Sequence, residues 1–349
     1  MYPRVNIYLD RIYQNIIILK EKLKDIEIMG VTKGVCGDPK IAKLMVDGGI
    51  KTLGEARIEN IIRLRKSGIE SKIFQIRSPQ ISEIRNTVKY ADGALITEIK
   101  IARALAQQSK LLGKKFGVIM MVELGDLREG VMPKDAMEFA INLKKEGLDF
   151  LGIGTNLGCF GGVIPTKEKL EELIELKEKL ESNGIEVNVV SGGATDTLYL
   201  FENGRVNGIT QLRLGEAILI GRDTTGNRDI EYLRHDTFII EAEIVELKEK
   251  PSMPYGIIGK DAFGNIPKHI DRGIRKRAIL AIGKQDIEFD HLIPLDKDVQ
   301  ILGGSSDHMV VDVNESEYEV GDIIQFYPLY PSILKFMCSK NKKRYIRGL

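Results

Sequence analysis

Residues 28–53 read IMGVTKGVCGDPKIAKLMVDGGIKTL. A short apolar run, Ile28 to Thr32, gives way to a polar and glycine-bearing turn, then to a helical segment that opens at Pro39 and closes on Gly48, then to a second apolar run, Ile50 to Leu53. That is one strand–helix unit, because β-branched apolar runs of this length read as buried strands and a longer amphipathic stretch ending on glycine reads as a helix. The same rhythm recurs at Ile73 to Ile76, Gly93 to Ile96, Gly117 to Val122, Phe150 to Gly154, Val187 to Val190 and Ile209 to Leu212. Helices are expected between the runs, among them one after Glu98 and one over Thr166 to Asn183, whose ELIELKEKLE stretch pairs charges at i,i+4. Gly48, Gly68, Gly113, Gly147 and Gly184 fall where a left-handed residue would end each helix. Strands that alternate with helices imply a parallel sheet, and eight repeats close more naturally into a TIM-type (β/α)8 barrel than into an open sheet.

After about residue 225 the helical spacing gives way to strand-like runs. These are Thr237 to Glu246, Arg277 to Ile282, Val299 to Leu302, His308 to Val313 and Ile323 to Tyr327. The expected organisation is a barrel over 11–225 and a mainly β domain over 226–349. The first ten residues hold a strand, Arg4 to Leu9, that would pair with the C-terminal domain. A length of 349 residues suits that division.

Lys and Arg total 51 against 50 Asp and Glu, a net charge of +1, so there is no basic field to drive binding to nucleic acid or an anionic membrane. A small-molecule substrate is expected. The N-terminal MYPRVNIYLDRIYQN lacks a signal-peptide pattern and no apolar stretch is long enough to span a bilayer, which points to the cytoplasm. Cys36, Cys159 and Cys338 are odd in number and lack C-x-x-C spacing, so each reads as a reduced thiol. His235, His269, His291 and His308 show no metal-ligand spacing, and no metal is expected.

Catalytic groups of a β/α barrel come from the C-terminal ends of its strands. Lys33 stands at the end of the first, where partial desolvation would lower its pKa and free a neutral amine. On position alone, a solvated loop lysine is the blander reading. Two further features shift the balance. The loop after strand seven, Ser191-Gly192-Gly193-Ala194-Thr195, offers a hydroxyl and flexible N–H donors for a phosphate, and Arg213-Leu214-Gly215 follows strand eight, where barrels commonly bind phosphate.

Together these residues resemble the alanine racemase-like, fold-type III pyridoxal-5'-phosphate (PLP) enzymes. The matching motifs are Val31-Thr32-Lys33, Gly125-Asp126-Leu127-Arg128-Glu129-Gly130 and Arg213-Leu214-Gly215 through Ile220-Gly221. The C-terminal Gly303-Gly304-Ser305-Ser306-Asp307-His308 variant is most similar to ornithine racemase-like members. By this resemblance Lys33 would carry PLP as a Schiff base and act as one acid/base, and Arg128 would bond the cofactor's phenolic oxygen. Asn156 would pack near the ring. Ser191, Gly192, Gly193, Gly215 and the backbone of Glu216 would hold the phosphate, and Arg213 would face the pyridine nitrogen.

An arginine stays protonated, so it cannot take up a proton from the pyridine and leaves the ring a weaker electron sink. That suits a brief Cα carbanion, hence racemisation, over decarboxylation or transamination. The family's second proton carrier is a tyrosine supplied by the partner subunit, which implies a homodimer with shared sites. Here the corresponding segment, Ala281-Ile282-Gly283-Lys284-Gln285-Asp286, has no tyrosine. Lys284, Asp286, Ser306, Asp307 and His308 are the candidates for that role. His308 needs the least tuning for proton transfer, though it reads equally as a histidine bonded at a strand start. Asp286 and Asp307 could instead recognise the distal ammonium of a basic amino acid such as ornithine or lysine. Cys36 as a nucleophile is the weaker reading, since no histidine is near it in sequence. The rival readings are a decarboxylase or other lyase on the same scaffold, and a non-catalytic PLP-binding homeostasis protein, whose short single-barrel form would leave the C-terminal domain unexplained.

Overall fold

Eight short strands close on themselves in a computed structural model that describes residues 2–202, 204, 206–266, 270–314 and 316–346. His269 lies outside the described residues. After β1 (Arg4–Tyr8), the barrel is built from β2 (Glu27–Val31), β3 (Thr52–Glu55), β4 (Lys72–Gln75), β5 (Gly93–Ile96), β6 (Gly117–Val122), β7 (Asp149–Thr155), β8 (Val189–Ser191) and β9 (Gln211–Leu214). Each pairs in parallel with the next, and β9 closes the ring on β2 with Met29 opposite Arg213. The expected barrel is therefore present. Met29, Phe74, Leu95, Ile119 and Met121 form an apolar cluster contributed by four of its strands. Burial at about 25 cal/mol per Å² of apolar surface makes such clusters the main stabilising contribution.

Two strand ends differ from the apolar runs. β3 extends over Thr52–Glu55 and β9 over Gln211–Leu214, each shifted toward polar residues. Thr52 donates from its hydroxyl to Glu27 at 2.6 Å, and Gln211 donates from its amide to the same carboxylate at 3.2 Å. Paired polar groups are tolerated inside a sheet, so hydrophobicity alone ended these strands early. As a result Arg213 lies within β9 and is buried, rather than beyond the strand's end.

The expected helices are found over Pro39–Asp47, Ile99–Leu112 and Lys167–Ser182. Thr166 caps the last of these by accepting from the Lys169 amide at 3.3 Å. Gly68, Gly113, Gly147 and Gly184 have positive φ, as helix-ending glycines should. At the first helix the left-handed residue is Gly49 (φ 86°), and Gly48 has φ −73°.

The chain divides into two units, Arg11–His235 and a second made of Met1–Asp10 with Asp236–Leu349. A short ribbon, β10 (Arg222–Asp223) with β11 (Arg228–Asp229), follows the barrel. The second unit is a mostly antiparallel sheet of β12 (Phe238–Pro251), β13 (Ile274–Leu280), β14 (Leu292–Pro294), β15 (Gln300–Gly304), β16 (Met309–Asp312), β17 (Ile323–Pro328) and β18 (Lys342–Ile346). Its strand order is β14-β17-β12-β13-β16-β15, and β1 joins it, antiparallel to β12 and parallel to β18. β18 was not read from sequence because KKRYI carries too little apolar alternation. Among the described residues no helix is long and apolar enough to cross a membrane.

Candidate active site

Lys33 opens a single 3-10 turn, Lys33–Val35, just beyond β2. That turn is fixed from beneath by a carboxylate. Glu55, fully buried at the end of β3, accepts from the Thr32 hydroxyl at 2.7 Å, the Asn60 amide at 3.1 Å and the backbone of Ala56 and Arg57 at 2.8 and 3.2 Å. The chain then passes through left-handed Cys36 (φ 53°) and Gly37 (φ 57°), where a side chain at Gly37 would approach Asn60 Cβ at 2.7 Å. Asp38 caps the next helix by accepting from Lys40 and Ile41 at 3.0 and 3.2 Å. Thus the residue preceding Lys33 is bound and the loop after it is sterically defined.

The Lys33 amine has no hydrogen-bond partner among the described residues. Burial lowers its pKa most; Cys159 opposes this, Arg128 and Arg213 add to it, and Glu129 opposes it. Four side chains from loops or strands far apart in sequence from Lys33 thus act on one amine.

Arg213 spans the barrel interior beside it. Its guanidinium donates to Ser191 Oγ at 2.6 Å, the Thr155 carbonyl at 2.5 Å and Asn156 Oδ1 at 2.5 Å. Burial pulls it down to about 10, which leaves it charged at neutral pH. Asn156 also donates to Glu129 at 2.9 Å, and Glu129 forms an ion pair with Arg128. The bond to Glu129 raises the Arg128 pKa further. Lys33, Arg128, Glu129, Asn156, Cys159 and Arg213 therefore make one continuous electrostatic group.

The Gly125–Gly130 motif works through its backbone. Glu123 accepts from the amides of Gly125 and Leu127 at 2.6 and 2.9 Å, with Gly125 at φ 122° and Leu127 at φ 55°. Asp126, buried, accepts from the Phe160 amide at 3.1 Å and the Gly161 amide at 2.9 Å. The loop that carries Arg128 is thereby tied to the loop that carries Cys159.

The glycine loops are arranged differently from their sequence reading. Ser191 is fully buried, and its hydroxyl accepts from Arg213 and donates to Gln211 at 3.0 Å. The Gly192 amide is bound to the Gln211 carbonyl at 2.9 Å. Neither donor is left for an anion. The amides of Gly193, Thr195, Gly215 and Glu216, by contrast, have no partner among the described residues, the Ala194 amide is bound by Asp196, and the two loops are joined where the Ala217 amide donates to Thr195 Oγ1 at 3.2 Å. Thr195 was not singled out in the sequence. Its signal is a hydroxyl that opens a short helix two residues after a glycine pair. The Glu216 side chain is engaged with Thr224.

Below this loop Asp196 is buried close to Asp223, and burial, then that second carboxylate, pushes it up to about 7. Glu55 and Cys159 also went unassigned by sequence. The first looked like a strand end and the second like one of three scattered thiols.

In the β unit the remaining candidates are engaged locally, and only Ser306 and Asp307 bond each other. Asp307 accepts from Gln285 and from the Ser306 hydroxyl, the latter at 2.8 Å. The His308 amide donates to Ser305 Oγ at 3.3 Å, and Ser305 to His308 are all exposed. Lys284 Nζ sits 3.9 Å from the centroid of Phe263. Asp286 accepts from the Gly283 amide at 3.1 Å and the Asn341 amide at 2.6 Å, so it buttresses its own turn. Among the described residues, no group of three or more His, Cys, Asp or Glu is placed to hold a metal ion.

A parallel β/α barrel with a desolvated lysine at the end of its first strand, an arginine on its eighth and an accompanying antiparallel sheet defines the class of fold-type III barrel proteins. The chain belongs to the alanine racemase family: residues 7–223 match the alanine racemase N-terminal domain. It is 46% identical over 344 residues to the lysine racemase of Thermotoga maritima, covering 97% of each chain. It is 40% identical over 348 residues to the ornithine racemase of Acetoanaerobium sticklandii, covering 97% of this chain and 98% of that one. The solved alanine racemase of Clostridium difficile superposes with a TM-score of 0.77 at 19% identity, covering all of this chain and 97% of that one. A D-threonine aldolase from Filomicrobium marinum superposes almost as well, with a TM-score of 0.76 at 17% identity, covering 97% of this chain and 89% of that one. The fold is thus shared by different reactions and does not choose between them. The family expected from sequence is the family found.

Proposed function

We propose that this chain is a PLP-dependent racemase of a basic amino acid, lysine or ornithine. The observation that carries the chemistry is the Lys33 amine: half-buried, without a hydrogen-bond partner among the described residues, and held at a strand end by the Glu55 network. The full-length likeness to a lysine racemase and an ornithine racemase supports the substrate class.

The residues present suit PLP. An amine without a hydrogen-bond partner among the described residues, unengaged backbone amides at Gly193, Thr195, Gly215 and Glu216, and a fixed guanidinium match its carbonyl, its phosphate and its ring nitrogen. PLP bound there supplies an electron sink for negative charge at the substrate Cα. We assign its phosphate to those amides and the Thr195 hydroxyl, in place of the hydroxyl of Ser191 and the amide of Gly192. Arg128 is poised for an anionic oxygen, and Glu129 holds it until one arrives. Lys33, whose pKa burial lowers, takes or returns the Cα proton from its own side. Arg213 contributes a charge that its bonds to Ser191, Thr155 and Asn156 prevent from swinging away. A donor with no proton to accept keeps the sink weak, which favours return of the proton over loss of carbon dioxide.

The site's mouth takes a small amino acid, and we read the protein as cytoplasmic and as a homodimer. Exposed Tyr255, Ile257, Ile266, Ile270 and Ile274 on one stretch of the β unit support self-association. The test is incubation of PLP-reconstituted protein with L-lysine and, separately, L-ornithine, followed by chiral chromatography. Each is expected to approach a racemic mixture. Release of carbon dioxide with a diamine product, or an unchanged L-enantiomer for both, would contradict the reading.

A further inference from the structure

Arg128 and Glu129 are neighbours in the chain, and their side chains pair end to end: Arg128 Nε donates to Glu129 Oε2 and a terminal guanidinium nitrogen donates to Oε1. The same Oε1 accepts from Asn156 Nδ2 at 2.9 Å, and Asn156 Oδ1 in turn accepts from Arg213 at 2.5 Å. Glu129 thus ends a chain of bonds that starts in the barrel interior. We propose that Glu129 recognises the distal ammonium of the substrate and so sets the preference for a basic amino acid; this rests on the racemase reading above and on Arg128 serving an anionic oxygen of the cofactor.

Two observations carry it. The first is charge. Arg128 is the cation bonded to Glu129, and no other is among the described residues. Once an anionic oxygen takes that guanidinium, the carboxylate keeps only the neutral Asn156 amide. The Glu129 side chain is 30% exposed, and a carboxylate largely removed from water is costly until a cation reaches it. Asn156 cannot turn to help, because its oxygen is committed to Arg213. A substrate with a neutral side chain brings no cation beyond its reacting amine. Lysine and ornithine bring one more, an ammonium whose donors suit a carboxylate.

The second observation is that the other candidate carboxylates are already used. Glu123 accepts from the Gly125 and Leu127 amides, and Asp126 from those of Phe160 and Gly161, bonds that hold the loops in shape. In the β unit Asp286 accepts from Gly283 and Asn341, and Asp307 from Gln285 and Ser306, so each serves its own turn. None of these has a cation to exchange. Glu129 does, and it trades one positive partner for another without breaking a bond that shapes the loop. The length of its side chain then sets the reach: a carboxylate withdrawn by one methylene suits lysine better than the shorter ornithine.

The experiment compares wild type, Glu129→Gln and Glu129→Asp, each loaded with PLP and checked for the visible absorption of the bound cofactor. The substrates are L-lysine, L-ornithine and L-norleucine, which has lysine's carbon skeleton without the distal nitrogen, and turnover is read by chiral chromatography. Wild type should favour lysine over norleucine by at least about a hundredfold in kcat/KM, and Glu129→Gln should shrink that preference at least about thirtyfold, chiefly through the KM for lysine. Glu129→Asp should move the lysine-to-ornithine ratio toward lysine by at least about threefold. Independently of turnover, cadaverine should perturb the absorption of bound PLP at a concentration at least about tenfold lower than pentylamine in wild type, and at the same concentration as pentylamine in Glu129→Gln. A lysine-to-norleucine preference in Glu129→Gln within about threefold of wild type, or discrimination between the two amines that survives the substitution, would overturn the proposal while leaving the racemase reading intact. If Glu129→Gln does not retain PLP, Glu129→Asp decides alone, and an unchanged lysine-to-ornithine ratio overturns the proposal. A wild type that racemises neither basic amino acid overturns both.

Discussion

The barrel mouth and the Ser305–His308 turn of the β unit carry similar numbers of polar and ionisable groups, and they hold them in opposite ways. In the turn, Asp307 takes hydrogen bonds from Gln285 and Ser306, His308 is exposed, and every group keeps its contact with water. At the mouth, Arg213 is buried and Lys33 half-buried, and burial is the largest influence on the pKa of each. Desolvation makes a side chain's protonation depend on its neighbours, and that dependence is what chemistry uses. A cluster of polar letters in a sequence does not distinguish the two cases. Position at the C-terminal end of a buried strand does.

Four substitutions sharpen the contrast. Lys33→Ala should have the greatest effect, lowering racemisation by about a thousandfold or more with the fold retained, as read by chiral chromatography and far-ultraviolet circular dichroism. Arg213→Ala comes next. It leaves Ser191 without its charged donor and the Thr155 carbonyl without a partner, and should cost about 3 kcal/mol in a urea unfolding titration. An unchanged midpoint would mean that the interior network is not organised around this guanidinium.

The third is a pH effect. Asp196 is pushed up to about 7 in the folded chain, from an ordinary value near 3.8, so the native state holds a proton there that the unfolded chain has released. Its contribution is fully present below the unfolded value and is lost as pH rises through about 7. Wild-type stability should therefore fall between about pH 4 and pH 7 relative to Asp196→Asn and run parallel to it above that, compared by thermal melts across about pH 4 to 8. Parallel curves for the two proteins over the whole of that range would remove the buried carboxylate pair from the account. The smallest effect is expected for His308→Ala, within about twofold in activity and about 0.5 kcal/mol in stability, because the side chain is exposed and lies on a turn whose groups are in water. A large loss of activity there would place the second carrier in the Ser305–His308 turn.

The barrel was legible because each strand is an apolar run bounded by turn residues, a local signal repeated eight times. Lys33 and Arg213 were picked out by their position toward strand ends, and Arg128 by the glycine-bearing motif shared with the family. Other parts of the site were not. Thr52 and Gln211 belong to strands because Glu27 satisfies them, a partnership across up to 184 positions that no window of sequence contains. The Ser191 hydroxyl resembled an anion donor until Arg213 and Gln211 were seen to use it. Cys159 looked like an isolated thiol because its neighbours Lys33, Arg128 and Arg213 come from three other strands. Sequence thus marked groups that act through local position, whereas groups that act through distant partners required the closed barrel.

The most direct test of the account is chemical mapping of the lysine that binds PLP. The protein would be loaded with PLP, reduced with borohydride, digested and analysed by mass spectrometry. The account predicts one reduced pyridoxyl-phosphate adduct, on Lys33, and none in Lys33→Ala. An adduct on another lysine, or no adduct in a folded wild-type protein, would contradict it.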